Sequence, residues 1–382
     1  MAHNSNDENL ATRSFPHAML REIYEQPHAI RETIRRNVEG NVTFPTALRP
    51  LEGALLAFKK IIVAASGSSR NAGLAGEIMM EDLSGVAVDV EYASEYCYRS
   101  THAGSDPIVI VITQSGETAD TIAAQREALS RGAQTIAVSN VADSTIAHEA
   151  TATLHTYAGL EKAIPATKSF TAQLTILYLF SLFLARRRGH MTSEVIRTYL
   201  TQVSRLPDCL ERSLPTWDSA TEDCAQLFQH TRAFLFLGRG VHYAIAREGA
   251  LKLKEISYVQ AEGLPAGELL HGPNATLDAK LAILALATRD SSDPDSILRY
   301  DKTLSVLEYV KSRGGKVIAV ASEGDAQIAS VADRVLFVPH APELLLPILE
   351  VVPLQLFAYH FAVLNRCDVD NPRNLVKSVV TE

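Results

Sequence analysis

The chain contains the same pattern twice, and that repetition leaves few folds open to it. Shifted by 173 positions, Gly67 falls on Gly240, Ala93 on Ala266 and Glu95 on Glu268, and the apolar run Ile108–Ile112 falls on Leu281–Ala285. Shifted by 182, Arg131-Gly132 falls on Arg313-Gly314, Ile136-Ala137-Val138 on Ile318-Ala319-Val320, Ile146-Ala147 on Ile328-Ala329, and Ala150 on Ala332. The difference of nine positions fits a longer loop in the second copy around Asp290 to Asp295. A consistent series of this kind reads as two copies of one structural unit.

The unit itself alternates strands and helices. In the first copy, strands are expected at Ile61–Ala65, Val86–Glu91, Pro107–Thr113, Thr135–Ser139 and Thr153–Tyr157. Helices are expected from about Asn71 to Leu83, from Thr118 to Ser130, and over the apolar stretch from about Thr167 to Leu184. Strands alternating with helices at this spacing form parallel βαβ units. The expected fold is therefore α/β, with two parallel sheets flanked by helices in a flavodoxin-like three-layer sandwich. Before the first unit, residues 1 to about 15 are polar and expected to be disordered. Met19–Val38 reads as a helix interrupted at Pro27, and Val42–Leu48 as a loop holding Pro45. Thr216–Thr231 reads as a packing helix with Trp217, the only tryptophan, in the core. The expected division is a tail and helix over 1–40, a first unit over 41–190, a helical connector over 191–230, a second unit over 231–365 and a C-terminal tail over 366–382.

Charge and apolar patterning exclude several classes. A formal net charge of −8 argues against nucleic-acid binding through a broad basic surface. The run Leu174–Leu184 is too short for a membrane span and reads as a core helix, with Arg186–Arg188 as its C-terminal cluster. Met1–Phe15 has no apolar signal-peptide core. Four scattered cysteines, Cys97, Cys209, Cys224 and Cys367, have no metal-binding spacing and suit a reducing, cytoplasmic setting.

Two regions can carry chemistry. On a helix, Glu248, Lys252 and Glu255 fall within one narrow stripe bordered by Ile245, Leu251 and Ile256. Acid, base and acid inside an apolar border suit proton transfer, because burial raises a carboxylate's pKa and lowers a lysine's. The same spacing also describes two ordinary helical ion pairs worth about 0.2–0.5 kcal/mol each. His271 follows in a Leu-His-Gly-Pro loop whose glycine and proline can fix its direction, although a lone histidine is more often structural. The second region is the pair Ser66-Gly67-Ser68-Ser69 and Thr113-Gln114-Ser115-Gly116-Glu117-Thr118. Both stand at the carboxyl end of an expected parallel strand and before a helix, where open α/β sheets bind ligands. Backbone amides and hydroxyls there can hold a phosphate against the helix dipole, or simply cap the helices. No Walker lysine follows, and Tyr243 stands where a dinucleotide fingerprint beginning Gly238-Arg239-Gly240 needs its third glycine. Lys377, five residues from the end, reads by itself as a solvated tail lysine.

The stretches Ile112–Thr121, Arg247–Tyr258, Ala266–Pro273, Val352–His360 and Asp368–Ser378, with an entry segment Glu22–Ile34, resemble the isomerase half of glucosamine–fructose-6-phosphate aminotransferase. That half is built from two tandem SIS (sugar isomerase) domains, and the resemblance covers about residues 18–382. It implies that Ser68, Ser69, Thr113, Gln114, Ser115 and Thr118 hold a sugar phosphate, with Thr113 in place of the family's serine. It implies that Glu255 moves a proton between C1 and C2, and that His271 assists ring opening from the neighbouring subunit of a homodimer. Lys377 contacts or forms an imine with the open-chain sugar, and Glu248 and Lys252 support the site. No metal and no cofactor are implied; the partner is a hexose-6-phosphate or amino-hexose-6-phosphate, with no nucleic acid and no membrane. Residue 2 is Ala, and the similar region starts almost at once, where the aminotransferases begin with a glutaminase domain carrying an N-terminal cysteine. The expectation is therefore a stand-alone relative that converts glucosamine-6-phosphate to fructose-6-phosphate and ammonia. Alternatives are the aminotransferase reaction with a separate glutaminase, a deglycase of a glycated amine 6-phosphate, and a non-catalytic phosphosugar-binding regulator. Leu270 replaces a basic residue, and Gly263-Leu264-Pro265 and Ala163-Ile164-Pro165-Ala166 also depart from the family pattern.

Overall fold

The structure, a computed structural model, describes residues 14–381 except 45, 52, 100–106 and 279. The tail expected to be disordered, up to residue 13, and Pro45 lie outside the described residues. Among the described residues two helices come first: α1 (Ala18–Tyr24) and α2 (Gln26–Asn37). The break falls at Glu25, so Pro27 sits in the first turn of α2, where its missing N–H costs nothing.

The first sheet contains β1 (Lys60–Ala65), β2 (Ala87–Tyr92), β3 (Ile108–Thr113), β4 (Gln134–Ser139) and β5 (Ala152–His155). Its order is β2-β1-β3-β4-β5 and every pairing is parallel. The inner strands β1 and β3 are buried almost end to end because both faces are covered. Between them run α3 (Gly67–Ser84) and α4 (Ala119–Ser130), and α5 (Lys168–Arg187) follows. Alternate strand residues Ile62, Ala64, Val109 and Val111 pack against Ala124 and Ala128 of α4. On the other side α3 lies along α5, close enough that a Cβ on Gly76 would sit 2.9 Å from Leu177 Cδ1. The apolar helix α5 is buried through its length, as a core helix should be.

After α6 (Ser193–Val203) and α7 (Leu206–Phe228), the second sheet repeats the first. Its strands are β6 (Ala233–Gly238), β7 (Gln260–Pro265), β8 (Leu281–Ala287), β9 (Lys316–Ser322) and β10 (Arg334–Val338). Their order is β7-β6-β8-β9-β10, again all parallel. The flanking helices are α8 (Val241–Ser257), α9 (Pro294–Ser312) and α10 (Leu346–Leu364), with α8 packed on α10. Phe234 meets Phe357 and Phe361 edge to face at 5.7 and 5.4 Å. Trp217 is buried in α7, as expected, and its Nε1 donates to the Phe337 carbonyl at 2.7 Å.

Three differences from the sequence reading stand out. The strand β7 was not expected: Gln-Ala-Glu-Gly-Leu-Pro carries a glycine and a proline and shows no apolar run. It is an edge strand, where such residues are tolerated. The helix α3 begins at Gly67, four residues before the expected start at Asn71. The two compact units also interleave along the chain, unlike a linear succession. One comprises Gln26–Glu161, Lys168–Pro207 and 376–381, the other 14–25, Lys162–Thr167 and Asp208–Leu375.

Candidate functional site

In the first unit, β1 runs straight into α3. Gly67 takes φ +55, a left-handed conformation open to glycine, and this lets the helix start one residue past the strand. Ser68 and Ser69 therefore lie in the first helical turn and not in a preceding loop. Both are half-buried, beside the amides of a helix N-terminus. Gln173, from the buried face of α5, donates its Nε2 hydrogen to Ser69 Oγ at 3.0 Å. One strand over, β3 ends in the second hydroxyl loop. Thr113 is only 3% exposed, and its Oγ1 lies 2.9 Å from Thr118 Oγ1 while accepting from the Gly116 amide at 3.3 Å. Thr113 therefore shapes the loop, and Gln114, Ser115 and Thr118 are left half-buried at its surface. Gly116 takes φ +74, and a Cβ there would run into the Ser144 side chain. Glu117 turns aside, its carboxylate accepting from Thr145 N and Oγ1 at 2.7 and 2.8 Å.

The end of the chain docks on this loop. Ser378 Oγ lies 3.0 Å from Ser115 Oγ, and the Ala119 amide donates to the Val379 carbonyl at 2.9 Å. Lys377 is no solvated tail lysine: its Nζ donates to Glu161 Oε2 at 2.6 Å, and its side chain is 27% exposed. Glu161 is buried and also accepts from Ser169 N and Oγ at 3.1 and 2.8 Å. Glu161 and Gln173 were missed in the sequence. The available signal was an acid and an amide bracketing the start of an otherwise apolar helix, which calls for polar partners. An open cavity of about 650 Å³ adjoins Gln114, lined also by Arg36, Asn140, Asp143, Tyr157 and Leu160. The Arg36 guanidinium stands 4.9 Å over the Tyr157 ring.

In the second unit, α8 brings together Glu248, Lys252 and Glu255. Lys252 is 1% exposed and its Nζ lies 3.5 Å from Glu248 Oε1 and 2.5 Å from Glu255 Oε2. Glu248 is fully buried, and Glu255 alone of the three keeps partial exposure, at 20%. Both helical ion pairs form, but inside a border of buried Ile245 and Ile256 and not on a solvated face. The ammonium is thus held between an interior carboxylate and one that reaches the surface. The loop after β7 carries His271, which is exposed, with its backbone N–H bonded to the Glu268 carbonyl at 3.0 Å.

The SIS domain profile matches residues 55–182 and 227–365. The glutamine–fructose-6-phosphate aminotransferase (isomerizing) of Chlorobaculum tepidum is 43% identical over 98% of this chain. The chain spans 60% of that relative's length. Among solved structures, the C-terminal domain of glucosamine-fructose-6-phosphate aminotransferase from Francisella tularensis superimposes with a TM-score of 0.87 at 34% identity, covering 94% of this chain and 99% of that one. The glucosamine-6-phosphate deaminase of Thermotoga maritima shares the fold, with a TM-score of 0.69 at 18% identity, covering 95% and 99%.

Proposed function

This chain belongs to the SIS domain family, and from that premise we propose that it is an aminosugar-phosphate isomerase. The reaction assigned to it takes glucosamine-6-phosphate and water to fructose-6-phosphate and ammonia. The observation that carries this reading is the pair of hydroxyl-lined turns at the carboxyl ends of the neighbouring strands β1 and β3, each opening into a helix. They offer a phosphate the amides of α3 and the hydroxyls of Ser68, Ser69, Ser115 and Thr118, with the Gln114 side chain beside them. Thr113 supports the loop from beneath.

Proton transfer is assigned to Glu255. In the open-chain aldose it removes the hydrogen from C2, giving an enolamine across C1 and C2, and returns a proton to C1. The resulting C2 iminium takes up water, and ammonia leaves from C2. Lys252 fits a positioning role, because its ammonium sits against the Glu255 carboxylate, with Glu248 behind it. Lys377, held by Glu161, is assigned contact with the open-chain sugar. His271 is assigned ring opening, and its exposure suits a side chain offered to the site of a second copy in a homodimer. The extensive identity to the aminotransferases favours one second reading: the same carbons reacting in the opposite direction, with ammonia delivered by a glutaminase. Incubating the purified chain with glucosamine-6-phosphate and no glutamine tests the proposal. Ammonia and fructose-6-phosphate in equal amounts support it. Turnover only of fructose-6-phosphate with added ammonium favours the aminotransferase direction. Phosphosugar binding without turnover in either direction overturns the enzymatic reading.

A further inference from the structure

The two repeats agree in register, so the second should carry a counterpart of the first repeat's hydroxyl turns. At the matching positions the second repeat places His242 and Thr288 against carboxylates of the chain itself. The strands β1 and β6 begin and end 173 positions apart, and Gly67 at φ +55 matches Gly240 at φ +54. At that shift Ser69 corresponds to His242, and Ser115 to Thr288. In the first repeat the two serines meet neutral groups: Ser69 Oγ accepts from Gln173 Nε2, and Ser115 Oγ meets Ser378 Oγ. In the second repeat both positions face carboxylates. His242 Nδ1 lies 2.8 Å from Glu350 Oε1, and Nε2 lies 3.1 Å from Glu343 Oε1. Thr288 Oγ1 donates to Glu350, Ser296 Oγ donates to Glu343, and Arg299 Nε donates to Glu343 at 2.8 Å. His242, Glu343 and Glu350 are 3%, 6% and 0% exposed.

We propose that the second repeat holds a filled oxyanion site, in which the Glu343 and Glu350 carboxylates take the place that an external phosphate takes in the first. The comparison rests on the phosphate reading of the first repeat. The donors around Glu343 are what a bound phosphate monoester needs: an imidazole N–H, a hydroxyl and a guanidinium N–H, converging at the start of a long helix. Two consequences follow. The chain binds one phosphosugar and not two. The anion that anchors the start of α8, the helix carrying Glu248, Lys252 and Glu255, is permanent, so that helix does not depend on ligand for its seating.

The test uses the full chain and inorganic phosphate, with binding read by isothermal titration and by the phosphate-dependent shift in Tm. The native chain is expected to bind one phosphate, and Ser69→Ala/Ser115→Ala to bind none. Adding Glu343→Ala to that double variant is expected to restore binding of one phosphate, and further addition of Arg299→Gln to weaken it at least tenfold. A Glu343→Ala chain with native near-ultraviolet dichroism and no phosphate binding overturns the proposal. If Glu343→Ala unfolds, recovery of the fold by phosphate but not by chloride supports it, and no recovery overturns it. Phosphate binding unchanged by Ser69→Ala/Ser115→Ala sinks the phosphate reading of the first repeat, and leaves the Glu343→Ala arm to be judged separately.

Discussion

Replacing Lys252 by Met removes a buried charge and keeps most of the side-chain volume. Lys252 is 1% exposed and serves two carboxylates, but these are not equivalent. Glu255 can be hydrated when its partner is lost, because a fifth of its side chain is exposed. Glu248, at 0% exposure, cannot. Breaking a buried pair by removing one partner costs about 3–5 kcal/mol, against about 0–1 kcal/mol for a surface pair. With a urea m-value of about 3 kcal/mol/M, the midpoint of the transition should fall by about 1–1.7 M at unchanged m. The compensating change is Glu248→Gln. Together, Lys252→Met and Glu248→Gln remove both charges of this buried pair and should recover most of the loss, because neutral replacement of a buried pair is often nearly free. The assay is urea unfolding of the native chain, both single variants and the double variant, followed by circular dichroism. A loss below about 1 kcal/mol for Lys252→Met, or a double variant no more stable than the single, refutes the claim that this ammonium is held by the interior.

Two further expectations can be checked on the same variants' apparatus. Burial works against a charged His242, but the adjoining Glu350 and Glu343 carboxylates hold its pKa up at about 10, while the same imidazolium outweighs burial at Glu343 and holds that acid down at about 2. The raised histidine stabilises fully below its unfolded value near 6.5, and the contribution is lost as pH rises through about 10; the lowered acid stabilises above 4.5 and is lost as pH falls through about 2. His242→Gln should therefore lower Tm most between pH 4.5 and 6.5, and a loss of Tm independent of pH would contradict the ion pair. In α8, a Cβ on Gly249 would lie 2.7 Å from Leu354 Cδ1 and 2.9 Å from Phe236 Cε1. Gly249→Ala gains about 1 kcal/mol of helix propensity and loses about 1–3 kcal/mol to overpacking, so thermal unfolding should show a net loss of up to about 2 kcal/mol, and a gain in stability would contradict the close approach.

The doubled architecture was legible because the repeat left identities at glycines and in the central strands, where backbone geometry and burial allow few residues. The stripe on α8 was legible because helical spacing alone brings Glu248, Lys252 and Glu255 together. What spacing did not supply was their burial, which separates an interior ion pair from a surface one. The start of α3 was misjudged because Gly67 looks like a turn residue and is one, yet its left-handed φ delivers the chain directly into the helix. The edge strand β7 was hidden by Gly263 and Pro265, residues that break a central strand but not an edge. The Lys377–Glu161 pair is separated by 216 positions, and no local pattern announces a contact at that distance. The His242 cluster was invisible for the same reason, since its carboxylates come from beyond α9.

The most direct test of the central claim is hydrogen exchange at C1. Fructose-6-phosphate and ammonium are incubated in D2O with the purified chain, and the C1 methylene is followed by proton NMR. The account predicts that the native chain exchanges one of the two C1 hydrogens, and that Glu255→Gln slows this by about 100-fold or more while still binding the sugar phosphate. Exchange at the native rate in Glu255→Gln would contradict it.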